Sequence, residues 1–586
     1  MVRDIEYDSV GNIYVTGGGA QIIENVITPG NDYKVLDGAI DHGRFDPHDV
    51  FVQKYSADGA LIWTTRMGGV NYDRAYALEV DNQGSVYVAG RAGLDFYTTH
   101  QGALQETFGG DTPATENPPY GPQDGFVSKL DADTGQVDWL TYFGGASGEF
   151  IRDIDVGPDG TIHIAQTFAK LEAGQHITSD ALQPNLNGAI DEIYAQLSND
   201  GSTLFYGTYI GGDNEPGPTG GNPAIVVDSN GDINFVTKTD AFNAPTTAGA
   251  YSSQPLGASD LYLVKFDGSD GGRSIKAATY FGTSDRYILE THNLAVDDAG
   301  NFIVVGETVG SDLETGRKSY QSDFAGGDTD GFVAKISADG TTVLEATYFG
   351  GSGRDNIEGV VLADDGIYVT GFTDPTDLAV TDTTTFGGYS GGQDAFVARF
   401  STDLRSVDFA SYVGGSDNEQ GRAIAVSDVG QVTIGGFSRS VDYPVLDAED
   451  ATIWNPSSPV ITSFTISAGS TGGGGGNGGG GGGNGGGRGG PKSNKAGAKS
   501  SATSDLSAGT TAVVADSFSF SASNTADDSP SSINPEMLLG GNQPEGIAAP
   551  DAWLELAASE TGLYLVIADN DGDGVYSLQL DDMWSV

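Results

Sequence analysis

Three aspartates, Asp569, Asp571 and Asp573, occupy alternate positions of an Asp-Asn-Asp-Gly-Asp-Gly run near the end of the chain. Carboxylates at positions one, three and five of a loop turn their oxygens inward, and hard oxygen donors in that spacing suit a calcium ion. Position twelve, where a bidentate glutamate would complete such a loop, is Leu580, and Asp581 follows one place later. These four aspartates are the candidate metal ligands, with Ca2+ the expected ion and the missing bidentate donor lowering its affinity. The same run also separates two alternating apolar stretches, 564–567 and 575–580, as the turn of a hairpin does. An acidic hairpin turn without metal accounts for it equally well.

Other chemistry is sparse. Six histidines are scattered, and none forms the paired motif that a helix uses to hold zinc. His42 and His48 share a segment with Asp41, Asp46 and Asp49, but their spacing matches no transition-metal pattern, so a solvated loop is expected. There is no nucleophile elbow, no phosphate-binding loop followed by lysine and no dinucleotide fingerprint. Cysteine is absent, which removes disulfides, thiolate metal sites and thiol nucleophiles. No catalytic residue is nominated. Paired carboxylates for glycoside cleavage stay open, because 81 acidic residues offer too many pairs to choose among.

Charge narrows the partners. Eighty-one acidic against 27 basic residues leave a net charge of −54. Such a surface repels phosphate backbones and anionic bilayers, which argues against nucleic acid as a ligand. No apolar run approaches the roughly 18 residues that span a bilayer, so no membrane insertion is expected. The hydrophobic share, 38%, sustains a core.

The elements that must carry any site come from self-similarity. A block of glycine, one residue and then alternating apolar residues begins at Gly11, Gly84, Gly160, Gly231, Gly300, Gly366 and Gly430, with a period of roughly 64 to 76 residues. An alternating stretch precedes each block, and a third strand opening with aspartate follows it, at Asp49, Asp124, Asp191, Asp260, Asp330 and Asp394. A fourth strand ends in Tyr-Phe-Gly-Gly at 142–145 and 348–351, with variants at 209–212, 280–282 and 412–415 and a degraded copy at 65–69. Period-two alternation bounded by Gly and Asp is the strand signature. Four strands per unit make a small antiparallel sheet that cannot bury both faces alone, and radial stacking of seven such sheets predicts an all-β, seven-bladed β-propeller. The repeated Tyr and Phe read as packing between blades, and the repeated Asp as a cap or turn for its strand. The segment between strands two and three runs to roughly 22 to 33 residues. Equivalent loops of a propeller emerge on one face, which is where binding is expected.

Tyr-Phe-Gly-Gly, then Asp-x-x-Gly-x-Ile-Tyr-Val-x-Gly-x-Thr, then Asp-Gly-Phe-Val-x-Lys resembles the bacterial seven-bladed β-propeller repeat family (SBBP repeats), over about residues 3–466. The resemblance implies the fold and a place in secreted or surface proteins of bacteria, and no defined reaction. The aspartate run likewise resembles EF-hand-like calcium loops in part, without flanking helices. Blades are expected at 3–69, 73–145, 150–212, 221–283, 288–351, 356–415 and 420–466.

Strands one and two recur seven times but the fourth only six, so ring closure needs another source. Either residues upstream of this chain are missing, the expectation favoured by the lack of an export signal, or a strand unlike the repeat completes blade seven. Residues 513–520 are the candidate for the latter. Residues 467–504, nearly pure Gly and Asn and then Lys, Ser and Ala, read as a flexible linker. Residues 505–586 read as a small β-rich module carrying the aspartate run. The expected function is non-enzymatic binding or adhesion outside the cell or on its surface, with calcium as a helper and a protein or polysaccharide as ligand. An enzyme acting on extracellular polysaccharide and a structural spacer are the alternatives.

Overall fold

In a computed structural model the structure describes most of residues 1–466, the strand Thr511–Val513 and three strands between 552 and 579. Residues 20–26, 35–48, 111–122, 170–175, 214–220, 289–292, 445–457, 467–510 and 514–551, and some shorter stretches, lie outside the described residues.

The repeat folds as its alternation requires. Blade two is typical: Arg74–Val80, Val86–Gly93, Gln123–Leu130 and Val137–Phe143 pair in chain order, antiparallel throughout. Seven sheets of this kind form a ring. Their first strands are Val2–Tyr7, Arg74–Val80, Phe150–Val156, Ala224–Val227, Leu294–Val296, Asp355–Ala363 and Glu419–Val426. Each touches the first strand of the next blade, and the last touches the first, so these strands line the axis. The seam between blades seven and one is a core of its own, where Val2, Ile5 and Val15 meet Ala423, Ala425 and Ile461. Tyr7 and Thr433 share a hydroxyl hydrogen bond of 2.5 Å across that seam.

In blade seven the fourth place is taken by Thr511–Val513, which pairs antiparallel with Ser463, Thr462 and Ile461. That strand reaches back from beyond the glycine tract and includes the first residue of the 513–520 candidate. By contacts the chain divides into Met1–Phe518 and Ser519–Val586. Within the second unit, Ala552–Ser559, Gly562–Asp569 and Val575–Gln579 form a three-stranded antiparallel sheet.

The Tyr-Phe-Gly-Gly motif has a separate physical reason at each place. Phe349 is buried against Phe396 and Phe400 of the next blade, with ring centroids 5.4 and 5.2 Å away. Tyr348 turns its hydroxyl to the loop instead, donating to the Gly310 carbonyl and accepting from the Leu313 N–H, both at 2.9 Å. The first glycine makes room for the third-strand aspartate: a Cβ on Gly350 would sit 2.7 Å from Asp330 Oδ1, and one on Gly414 2.5 Å from Asp394 Oδ1. These aspartates are buried and take backbone N–H groups of the preceding loop, Gly109 to Asp124 at 2.6 Å, Asn187 to Asp191 at 2.8 Å and Ala325 to Asp330 at 2.7 Å. They cap loops, as their repetition suggested.

The long loops depart from expectation. They leave and re-enter at one face, but between those points they run down the outer edge of their own blade. Gln105, Gln183, Ser252 and Gln321 each donate a backbone N–H to the fourth-strand hydroxyl of Thr141, Thr208, Thr279 and Thr347, at 2.9 to 3.1 Å. They then reach the opposite face of the next blade, where Leu104 N–H bonds the Gly201 carbonyl, Tyr251 that of Gly340 and Tyr320 that of Leu404. A loop with this many backbone partners is a strap. The described parts of these loops therefore hold neighbouring blades together.

Candidate anion site on the propeller axis

Five first strands carry a β-bulge near their start, and the extra residue is Arg3, Tyr76, Arg152, Glu358 or Arg422. A bulge leaves one residue unpaired and re-aims its side chain. The repeat makes space for it: the glycine closing the second-strand motif lies against a first-strand carbonyl two residues before the bulge. Gly90 faces Arg74 O, Gly371 faces Asn356 O and Gly436 faces Gln420 O, each so closely that a Cβ would overlap that oxygen.

Because strand two ends and strand three begins where strand one starts, the bulges lie at the long-loop end of the axis. Blades one to three bring four guanidinium groups together there. Arg3, Arg91 and Arg152 lie over the Tyr76 ring at 5.7, 5.8 and 4.5 Å from its centroid. Arg91 also covers Tyr72 at 4.0 Å and Phe150 at 5.0 Å, and Arg74 covers Tyr72 at 4.9 Å. Each such contact contributes about 0.5–2 kcal/mol depending on desolvation. Burial raises the Tyr76 hydroxyl, but Arg91, Arg152, Arg74 and Arg3 together outweigh it and bring the group down to about 7. Tyr76 is 3% exposed, while Arg74 and Arg152 are half-buried.

Elsewhere at this end of the ring two arginines are paired. Arg354 meets the buried Glu307 at 3.0 Å, and Arg422 meets the buried Glu358 at 2.6 Å. Among the described residues no carboxylate lies within ion-pair distance of Arg74 or Arg152, and the Nε–H of each is buried without a hydrogen-bond partner. Positive charge is thus concentrated on one side of the axis in a chain of net charge −54.

From the residue after each bulge onward, the same strands are acidic. Asp4 accepts the N–H of Leu78 at 2.6 Å, Asp153 that of Ile225 at 2.9 Å and Asp155 that of Val227 at 2.6 Å, stitching each first strand to the next. Burial, with mutual repulsion among Asp4, Glu6, Glu79 and Asp155, holds Glu6 and Glu79 well above the usual carboxylate range. A cavity of about 980 Å³ opens among the turns of blades five to seven, lined by Asp297, Asp364, Asp365 and Asp428 over Val296 and Leu362.

Of the sequence candidates, Asp571, Asp573 and Asp581 lie outside the described residues, and Asp569 ends the strand Gly562–Asp569. Asp41, His42, Asp46 and His48 also lie outside them, and Asp49 is buried at the start of blade one's third strand, 3.9 Å from Arg66. Among the described residues no cluster of three His, Asp or Glu is arranged to hold a metal, and no helix is long and apolar enough to cross a membrane. The axial arginines and Tyr76 escape sequence reading because the bulge that re-aims them is visible only in the strand register. The one visible signal is Arg3, Arg74 and Arg152 near matched strand starts in a chain with only 27 basic residues.

No protein-family profile matches the chain. The regulatory protein FlaEY of Caulobacter vibrioides is 24% identical over 395 residues, covering 66% of this chain and 32% of that protein. This chain therefore spans about a third of that relative. Among solved structures it is similar to a PL25 ulvan lyase (10% identity, TM-score 0.37, covering 74% of this chain and 91% of that one). It is also similar to hydrazine synthase of Kuenenia stuttgartiensis (11% identity, TM-score 0.36, 74% and 92% covered). The fold is read from the ring of seven sheets itself, which is that of a seven-bladed β-propeller.

Proposed function

We propose that this chain is a bacterial surface or extracellular propeller of the SBBP-repeat kind that binds an anionic ligand at the long-loop end of its axis, without transforming it. The observation that carries this reading is the set of four guanidiniums around Tyr76, two of them with no carboxylate partner. Acidic polysaccharide is the ligand class of choice, because desolvated arginines bind carboxylate or sulfate by charge-assisted hydrogen bonds. Titrating the full chain with oligogalacturonate in a calorimeter tests it. Loss of a charge-assisted bond costs about 1.5–3 kcal/mol, so Arg74→Ala and Arg152→Ala should each weaken binding roughly tenfold or more. Unchanged affinity in both would sink the reading.

A second reading follows from Tyr76 itself, since a phenolate held among arginines is a base beside an anion site. A lyase acting on acidic polysaccharide would release an unsaturated sugar with new ultraviolet absorbance, whereas a binding protein releases none. No saturable binding to acidic or neutral glycans would leave the spacer.

Calcium belongs to the second unit in this proposal, at Asp569, Asp571 and Asp573 with Asp581 as the outlying carboxylate. Sensitised terbium luminescence of the full chain should appear on titration and be displaced by calcium. It should be lost in the Asp571→Asn/Asp573→Asn double variant, and an equal signal in that variant would end the assignment.

A further inference from the structure

We infer that Tyr76 is a built-in competitor for the anion at this site, so that ligand binding draws one proton from solvent onto the Tyr76 oxygen. This rests on the anion reading above. The bulge sets Tyr76 between Arg3 of blade one, Arg74 and Arg91 of its own blade and Arg152 of blade three. A phenolate in that position satisfies the same guanidiniums that a carboxylate or sulfate would need. The two anions repel in a desolvated pocket, so the favourable bound state has a neutral phenol and a bound ligand. The step balances simply: tyrosinate, a proton and the ligand anion give tyrosine with the anion bound.

The other charged groups facing this cluster do not do the same work at neutral pH. Asp73 accepts the N–H of Gly69 at 2.7 Å and of Gly93 at 2.6 Å, and burial holds its carboxyl well above the usual range. Glu192 accepts the Gly221 N–H at 2.8 Å beside Arg152, and burial pushes it up to about 8. Asp4, adjoining Arg3, is likewise pushed up to about 8 by burial. Glu192 and Asp4, at about 8, ionise no earlier than Tyr76, which the arginines bring down to about 7, and burial holds Asp73 above the usual carboxylate range. The Met1 amine beside Arg74 and Arg3 is brought down to about 4 by burial and so is uncharged here. Phe150 and Tyr72 complete the enclosure as the rings beneath Arg91.

The test is a calorimetric titration of the full chain with oligogalacturonate between pH 6 and 8, in two buffers of different ionisation enthalpy. Galacturonate stays ionised throughout, so any proton taken up belongs to the protein. When the competent form is only fractionally populated, apparent affinity falls by that fraction, which gives about a tenfold loss from pH 6 to pH 8. Uptake should approach one proton at pH 8, and Tyr76→Phe should flatten the profile to within about twofold. A spectroscopic reading needs no variant: tyrosinate absorbance at pH 8 should disappear as ligand is added. Inorganic sulfate run in parallel distinguishes a free oxyanion from an acidic sugar as the source of the effect. Parallel pH profiles in the wild type and Tyr76→Phe, or binding with no proton uptake, would overturn the linkage and leave the anion site standing. Absence of binding by both proteins at every pH overturns the anion reading, and the linkage with it.

Discussion

On warming, the protein is expected to unfold at a higher temperature at pH 5 than at pH 8. Each blade junction buries carboxyl groups at the foot of the Tyr-Phe-Gly-Gly strand. Burial comes first among the causes and raises Asp124, Asp330 and Asp394 to about 7 and Asp191 to about 6. Asp355, whose Oδ2 accepts the Gly351 N–H at 2.8 Å, is raised to about 6 and adds repulsion to Asp330. A carboxyl whose folded value exceeds its unfolded one binds more protons in the native state. Its contribution to stability is fully present below the unfolded value, near 4, and is lost as pH rises through 6 to 7. Exposed carboxyls such as Asp131 and Asp339, held low by hydroxyl hydrogen bonds, act in the opposite sense but only below that window. Calorimetric midpoints from pH 5 to 8 in metal-free buffer should fall by several degrees, and less steeply in Asp330→Asn/Asp394→Asn. A flat or rising profile would sink this account.

Gly282→Ala should be among the most damaging substitutions of a small residue in the chain. The Asp260 carboxylate already occupies the space that the new methyl needs, and Asp260 cannot retreat, because its other oxygen accepts the N–H of Leu256 at 2.5 Å and of Gly257 at 3.1 Å. Overpacking of this kind costs about 1–3 kcal/mol or more. For a ring of this size the unfolding entropy is about 1 kcal/mol/K, so the midpoint should drop by about 1–3 °C or more. The repeat offers a graded series. Gly211 is equally blocked by Asp191, while Gly144 would meet Asp124 at 2.9 Å and Gly388 would meet nothing within 4 Å. The loss should follow that order, with Gly388→Ala near neutral. Equal midpoints for Gly282→Ala and Gly388→Ala would show that the aspartate yields.

Most of the architecture was legible because short, strand-length apolar stretches bounded by Gly and Asp recur at a fixed period, and seven copies make the pattern plain. The aspartate before Phe-Val was recognisable as structural because it recurs in six blades, whereas the glycine that makes room for it shows its reason only in the structure. Blade seven was harder, since Thr511–Val513 shares nothing with the repeat and is joined to it across a glycine tract. The path of the loops was not legible, because the backbone bonds of Leu104, Tyr251 and Tyr320 to the next blade depend on how blades stack, which no single repeat encodes. The axial cluster was not legible because alternation does not reveal a bulge, and it is the bulge that turns Arg3, Tyr76 and Arg152 to the axis.

The bulges have an evolutionary consequence. A side chain in an ordinary strand answers to one face of the sheet, so changing it disturbs either a core or a neighbour. The bulged residue answers to neither, and the close glycine beneath it is indifferent to its identity. Arginine, tyrosine and glutamate already occupy this position on the same backbone. The ring therefore works as a fixed socket board with interchangeable pins, and a relative could acquire a different ligand by exchanging a handful of axial residues while every blade keeps its packing.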